Sequence, residues 1–522
     1  LVREVLIAAT LGTSGDAFRA AMRVPNIIQN LLGEGALGAS FVPVYAKLVE
    51  ERNDAEARRV AGAVLGLLSA AIALIVASLV LLADPIVSIL ASGLTPATHE
   101  LAVSLTRITS LGVGMPGISA WGLGILNSHR QYFLGYAAPA LWNLVQILLL
   151  LGVALIGLVR DSGPDSETVA TWLAIAVVVG SFLQMAVMVP RVRVLTQGVT
   201  PHLRREGETR TVLRRFVPAV GARGIIQISS LVDLTLVSYL AAGGLSIWAL
   251  ALPLYLLPIG IFGFSVATTE LTEMSRQSDR ADVVAGRVRL GLRKVLLPAG
   301  LSSALLLFGG TAVAATLFQW PNELFGSNTF DADDSIVLGW TLAAYALALP
   351  ASMSARVTQN ALYALGDVRK PAQIALIRLG VSTACAVLII FQADRITVLD
   401  GVISGWDQLP MWPPWEPLDH TIREAPVAVH FGPVGLGIAA MVASWTEWAL
   451  LRRALSRRVH EPIRSGLGVP VLAATLGAGV TVWALQEALP FGAPVEGVVI
   501  GVVGLAAYIG ALRFQGLKPL AR

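Results

Sequence analysis

Apolar residues in this chain fall into long runs separated by short polar and basic clusters. Each run approaches the roughly 20 residues that an α-helix needs to cross a hydrocarbon core of about 30 Å. Fourteen can be drawn, near 1–11, 17–46, 60–83, 99–126, 132–158, 168–190, 211–240, 245–274, 293–318, 335–363, 372–392, 433–451, 466–486 and 497–515. The pattern predicts an all-α polytopic membrane protein with about 14 transmembrane helices. The first run is short, because eleven residues rise only about 16 Å. The chain also opens on leucine rather than methionine, so upstream residues are expected to be missing from this sequence.

Composition agrees: 55% of residues are apolar, 14% are charged and the mean hydropathy is +0.70, values that would not keep a soluble protein in solution. Charge then orients the spans, since Lys and Arg gather on the cytoplasmic side. Connections on one side hold 28 basic residues, and those on the other hold only Arg160, Arg395 and Arg423. Both termini are therefore expected in the cytoplasm, and the net charge of +4 reflects topology. The basic stretch "HLRREGETRTVLRR" reads as a cytoplasmic loop, not as a nucleic-acid surface. The first run lacks the basic segment and cleavage site of a signal peptide. Cys385 stands alone in an apolar run, which excludes a disulfide framework or a thiolate metal site.

An internal repeat is visible. "GALGAS" at 35–40 and "GIFGFS" at 260–265 share the pattern G-x-x-G-x-S, each late in a proline-containing span that precedes a basic loop. The offset is 225 residues, and it pairs span 2 with span 8 in the same orientation, as in a parallel repeat of two six-helix halves. Domain organisation follows as an N-terminal lobe over 1–192, a second lobe over 193–455 and a C-terminal helix pair over 456–522.

Ionisable groups inside apolar runs carry the functional information, because exposing one to lipid costs roughly 2.5–3.5 kcal/mol on insertion scales. Span 1 holds Arg3 and Glu4, and span 2 holds Asp16, Arg19, Arg23 and Glu34. Arg19 and Arg23, four apart, share one helix face and suit an anion. For Arg19 and Asp16 an alternative stands, in which they snorkel to the headgroups. Pro25 removes a backbone donor, and Gly33 and Gly35 loosen the helix below it. Span 2 should therefore bend about its middle and line a hydrated cavity. Span 8 repeats the device with Pro253, Pro258 and Gly260, but without charge until Glu270 and Glu273. Asp233, mid-helix in span 7, needs a partner, a proton or a cation; an ion pair with an arginine is the plainer option. Arg107, Arg356 and Glu447 read as packing residues.

Enzyme signatures are absent: the sequence has no G-x-x-x-x-G-K-[ST] phosphate loop, no H-E-x-x-H and no Cys/His cluster. Neither an ATP-driven pump nor a membrane hydrolase is expected. "GWDQLPMWPPWEPLDH", 405–420, belongs to the longest extracytoplasmic loop, and its tryptophans read either as interface anchors or as a substrate lid.

With those residues in view, "DAFRAAMRVPNIIQNLLGEGALGASFVPVYAKL" resembles the second span of the MurJ (MviN) lipid II flippases, with their D-A-F, P-N, E-G-A and F-V-P elements. "QISSLVDLTLVSYLAAGGLS", "LPIGIFGFSVATTELTEMSR", "NALYALGDVRKP" and "GPVGLGIAAMVASWTEWALLRRAL" are similar to later parts of that family in matching order. The resemblance implies the multidrug/oligosaccharidyl-lipid/polysaccharide exporter fold: two six-helix lobes about a central cavity, plus two C-terminal helices that form a groove for a lipid tail. It implies a monomer of the bacterial inner membrane that flips lipid II from the cytoplasmic to the outer leaflet, alongside membrane lipids and cell-wall synthesis proteins. On this resemblance Arg3, Asp16 and Glu34 match family positions. Asp233, Asp367 and Thr383 lie where some members hold Na+, with membrane potential as the other energy source; no other cofactor is implied.

Two departures matter. Gln29 stands where the family carries arginine, and Leu252 and Pro253 stand where it carries an acid and an arginine. Arg19, Arg23 and Arg223 are the candidates to compensate. The departures keep two further readings open: export of another polyprenyl-linked saccharide or a drug, and a scaffold homologue that transports nothing.

Overall fold

The computed structural model describes the chain except for residues 1, 13, 33, 161–163, 277–279, 328, 368, 411–415, 425–426, 464, 489–492 and 518–522. It is built almost wholly of helices and divides into two compact units, Leu1–Ser238 and Tyr239–Arg522. The first contains α1 (Val2–Leu11), α2 (Ser14–Leu32), α3 (Glu34–Ser40), α4 (Val42–Glu50), α5 (Asp54–Leu81), α6 (Ala83–Leu90), α7 (Pro96–Gly112), α8 (Gly114–Ser128), α9 (Tyr132–Arg160), α10 (Ser166–Leu195) and α11 (Glu208–Ser238). The second contains α12 (Gly244–Pro258), a π-helical turn (Ile259–Phe264), α13 (Ser265–Ser275), α14 (Ala281–Phe308) and α15 (Gly310–Ala314). A second π-helical turn (Ala315–Gln319) leads to α16 (Trp320–Leu324), α17 (Ala332–Ala346), α18 (Leu349–Ala364) and α19 (Arg369–Ala393). After α20 (His420–Glu424) come α21 (Gly432–Val459), α22 (Gly468–Ala488) and α23 (Ala493–Phe514).

Among the described residues, eleven helices or joined helix pairs are long and apolar enough to cross a membrane. They coincide with eleven of the fourteen expected spans. The other three, spans 1, 2 and 7, are also helical: α1 has ten residues, α2 carries Asp16, Arg19 and Arg23 within nineteen, and α11 runs for 31 residues with Arg223 and Asp233 inside it.

In the first unit, Phe41, Tyr45, Val60, Val64, Trp121 and Ile125 form the centre of a core shared by α3, α4, α5 and α8. The Trp121 indole donates to the Ala61 carbonyl at 3.2 Å, so a polar edge is satisfied inside that core. α11, expected in the second lobe, packs in this unit on α2, α3, α5 and α6. Its far end is fastened where Thr235 Oγ1 donates to the Leu90 carbonyl at 2.8 Å and Ser238 Oγ accepts from the Gly93 amide at 3.0 Å.

In the second unit α19 and α21 lie along each other, and α14 packs against α17, α18 and α22. Trp248 donates to Tyr345 at 3.1 Å, and Tyr255, Ser352 and Ser444 form a hydroxyl chain of 2.9 and 3.0 Å, so buried polar groups join α12, α17, α18 and α21. The C-terminal helix pair docks on α14 through Tyr508, which donates to the Leu297 carbonyl at 2.8 Å, and Thr475, which donates to that of Gly300 at 3.1 Å.

The segment between α19 and α21 holds an antiparallel sheet of β1 (Thr397–Leu399), β2 (Val402–Ser404) and β3 (Val429–His430), in the order β2-β1-β3. Asp400 and Gly401 make its two-residue turn with φ of 52° and 77°, the left-handed pair that an Asp-Gly hairpin requires. The Asp333 carboxylate accepts both turn amides, at 2.9 and 2.8 Å. Beside the sheet, Asp394 is 1% exposed and accepts the Ala241 amide at 3.2 Å, while the His430 ring lies 2.5 Å from the Asp394 carbonyl. Burial pushes the Asp394 carboxyl up to about 6, against the opposing pull of His430, Arg423 and Arg395. In the 405–420 stretch, Trp406 is exposed and its ring lies 6.5 Å from that of Phe431. Trp412 and Trp415 lie outside the described residues.

Candidate functional site

The polar residues of α1 and α2 meet inside the first unit. Glu4 is shared by two arginines from different helices. Its Oε1 accepts from Arg3 Nη2 at 2.6 Å and its Oε2 from Arg19 Nη1 at 2.9 Å. The three side chains are 13%, 24% and 9% exposed, so the charges are largely withdrawn from solvent. Arg3 also lies over the Trp142 ring, 5.0 Å from its centroid, and donates to Asn143 Oδ1 at 3.3 Å. Arg19 keeps one buried donor, Nε, without a hydrogen-bond partner.

One turn further along, Arg23 has a different set of partners. Its guanidinium bonds Ser230 Oγ of α11 and interacts electrostatically with Asp233 of the same helix. The expected stack of Arg19 on Arg23 is therefore divided, one arginine serving α1 and the other α11. Asp16, near the start of α2, is buried at 6% exposure. Three guanidinium groups and three carboxylates balance across this set, so an entering anion gains an arginine only by displacing a resident carboxylate. Snorkelling, the alternative for Arg19 and Asp16, does not describe them: both are buried.

Pro25 lies within α2, a single helix. Helix follows in α3 and α4, with a turn at Phe41 between them. Gly33 lies outside the described residues, and Glu34 and Gly35 are placed in α3 as backbone only. Pro25 and Gln29 border a void with about 10 Å³ of room, enough for one water beside Asn26, Thr109 and Ser181. Gln29 thus faces this interior void. Arg223 lies in α11, its side chain outside the described residues.

In the second unit Pro253 lies inside α12 and Pro258 ends it, and the π-helical turn that follows contains Gly260. Such single-turn widenings loosen a helix without breaking it. Of the three residues proposed for Na+, Asp233 belongs to the first unit and has Arg23 beside it, and the other two belong to the second. Asp367 accepts the Lys370 amide at 3.0 Å at the start of α19, and Thr383 follows sixteen residues later, roughly 24 Å along the axis. Those two cannot ligate one ion. Among the described residues no cluster of three His, Cys, Asp or Glu suits a metal.

Sequence reading did not single out Trp142, Asn143 or Ser230. Asn143 had a signal, as a polar residue in the apolar run of α9 that had no assigned partner. Of the residues read as packing groups, Arg356 lies over the Phe264 ring at 5.2 Å, and Glu447 pairs with Arg378 at 3.3 Å.

A family profile described as lipid II flippase MurJ matches residues 7–398. The chain belongs to the MurJ family. It is 30% identical over 421 residues to the probable lipid II flippase MurJ of Rhizobium meliloti, covering 78% of this chain and 75% of that protein. It is 29% identical over 388 residues to the lipid II flippase MurJ of Burkholderia cenocepacia, 72% of each. A solved lipid II flippase MurJ in an inward closed conformation matches 98% of this chain and 96% of its own, with a TM-score of 0.72 and 19% identity. An inward-facing multidrug resistance MATE family transporter of the MOP superfamily matches 87% of this chain and 94% of its own, with a TM-score of 0.64 and 14% identity. The MurJ family is one of transporters, and the fold is the one it shares with MATE proteins.

Proposed function

We propose that this chain flips lipid II, the undecaprenyl pyrophosphate-linked peptidoglycan precursor, from the inner to the outer leaflet of the bacterial cytoplasmic membrane. The observation that carries the reading is the Arg3–Glu4–Arg19 group in a member of the MurJ family. A pyrophosphate matches the fork geometry of two guanidinium groups better than one shared carboxylate does. It takes Glu4's place on Arg3 and Arg19 and recruits the spare Arg19 Nε. Trp142 holds the Arg3 plane during the exchange. The carboxylate returns when the headgroup leaves, so the arginines are charge-balanced in both states and release is not trapped by excess affinity.

Both termini face the cytoplasm in this reading, as the distribution of basic residues supports. The chain works as a monomer by alternating access, alongside cell-wall synthesis proteins. Membrane potential supplies the energy, at about 2.3 kcal/mol per charge per 100 mV. A Na+ site built from Asp233, Asp367 and Thr383 is not part of the proposal. The test is complementation of a flippase-depleted strain. Arg3→Ala and Arg23→Ala should fail to restore growth and should leave lipid II accumulated on the inner leaflet, while normal growth of both variants would refute the reading. Accumulation of a different lipid-linked glycan on depletion would instead support the saccharide alternative, which the arginine-free positions Gln29 and Pro253 favour.

A further inference from the structure

The first unit contains a cationic cavity separate from the α1–α2 group. Its volume is about 570 Å³, within the roughly 300–1,000 Å³ typical of ligand pockets. The opening turns of α5 contribute Arg58 and Arg59, and the segment between α10 and α11 contributes Thr200, His202, Arg204 and Glu206. This is the end of the unit that the basic connections assign to the cytoplasm.

The cavity is built rather than left between loops. Gln197 and Gly198, with φ of 53° and 77°, turn the chain back after α10 so that 199–202 runs against α5. That close approach needs Gly62 and Gly66: a Cβ on either would lie 2.4 Å from the Thr200 carbonyl oxygen or 2.3 Å from that of His202. The His202 amide then donates to the Gly62 carbonyl at 3.1 Å, which holds the loop backbone on α5. His202 Nδ1 is buried without a hydrogen-bond partner. Arg59 is engaged by Glu56 at 2.8 Å, whereas Arg58 and Arg204 have no ion-pair partner among the described residues. Glu206 is the one acid in the lining. Topology accounts for basic residues at this end of the unit, but not for a loop clamped onto two helix glycines so that His202 lines the cavity.

We propose that this cavity binds a phosphate group, with Arg58 and Arg204 as its charge partners and His202 as an inner hydrogen-bonding group. Phosphate is the anion whose several acceptor oxygens suit two separated guanidinium groups and a ring nitrogen together. Its position beside the ends of membrane-spanning helices admits two sources: an anionic phospholipid headgroup of the adjoining leaflet, or a soluble phosphate compound. The proposal does not depend on the transport reading.

The test uses the full-length protein in nanodiscs of phosphatidylcholine alone or with cardiolipin, and in detergent with inorganic pyrophosphate. Retained lipid is counted by native mass spectrometry, and the thermal midpoint is followed for each probe. The wild type should retain cardiolipin or be stabilised by pyrophosphate, with at least a tenfold loss of apparent affinity in Arg58→Gln/Arg204→Gln. Cardiolipin retention that survives excess pyrophosphate identifies the lipid source. Stabilisation by pyrophosphate without cardiolipin retention identifies the soluble one. Both arginines are exposed, so the double variant should fold; Arg205→Gln, outside the lining, controls for loss of general charge. Binding of neither probe, or equal binding by wild type and double variant, overturns the proposal.

Discussion

The two units bury charge differently. In the first, Glu4 with Arg3 and Arg19, and Asp233 with Arg23, lie within the helices themselves. In the second, the corresponding span is free of charge through its π-helical turn, and its buried acids stand near helix ends: Glu270 at 1% exposure with Lys294 at 2.7 Å, and Asp394 beside Arg423 and His430. Spans 2 and 8 thus share prolines within the helix but not its chemistry, and the charges buried in mid-helix belong to one half.

Breaking the first unit's group should produce the largest effect. Glu4→Ala leaves Arg3 and Arg19 buried without their carboxylate, which costs about 3–5 kcal/mol when a buried ion pair loses one member. A thermal midpoint within a degree or two of wild type would show that the pair is not buried in the membrane. Glu4→Gln sharpens the point: it should abolish transport yet raise the affinity of the purified protein for pyrophosphate, measured by calorimetry, because the competing charge is gone.

Next comes Asp394, which tests whether charge in the second unit is structural. Its raised carboxyl favours the neutral form in the folded state, so its contribution to stability is fully present below about pH 4, the ordinary carboxylate range. That contribution is lost as the pH rises through about 6. Asp394→Asn keeps an acceptor for the Ala241 amide and cannot ionise. Between pH 4.5 and 7.5 the wild type should lose at most about 3 kcal/mol relative to this variant, at ~1.4 kcal/mol per pH unit. Parallel pH profiles by thermal unfolding would reject the assignment, and transport should be little altered.

Smaller effects are expected from the hinge. Gly260→Ala meets no atom within 4 Å, and should cost under about 1 kcal/mol while slowing transport by stiffening the π-helical turn. The smallest is for Asp367→Asn with Thr383→Ala: their effects on growth in low-sodium medium should simply add, since the residues are too far apart to share an ion. A synergistic loss would restore the Na+ site.

Most of the fold was legible because bilayer thickness imposes a length on every apolar run, and eleven spans followed from that alone. The hairpin between α19 and α21 was equally readable from Asp400-Gly401 between the short apolar runs Val398–Leu399 and Val402–Ile403, but the tryptophans nearby drew attention to the membrane surface instead. The site was half legible. Charge inside apolar runs pointed to Arg3, Asp16, Arg19, Arg23 and Asp233, yet which acid meets which arginine depends on helices distant in sequence. Helical spacing put Arg19 and Arg23 on one face, and it could not foresee that neighbouring helices α1 and α11 would draw them to opposite partners. Gln29 illustrates the same limit, being placed by its family position but turned toward a water-sized void by the packing around Pro25.

The pairing of Arg23 with α11 also orders the molecule's birth. Its hydroxyl partner Ser230 lies 207 residues downstream and its charge partner Asp233 just beyond, so α2 is synthesised long before either. Until α11 has been made, the guanidinium on α2 lacks both of these partners, and leaving it bare to lipid would be costly.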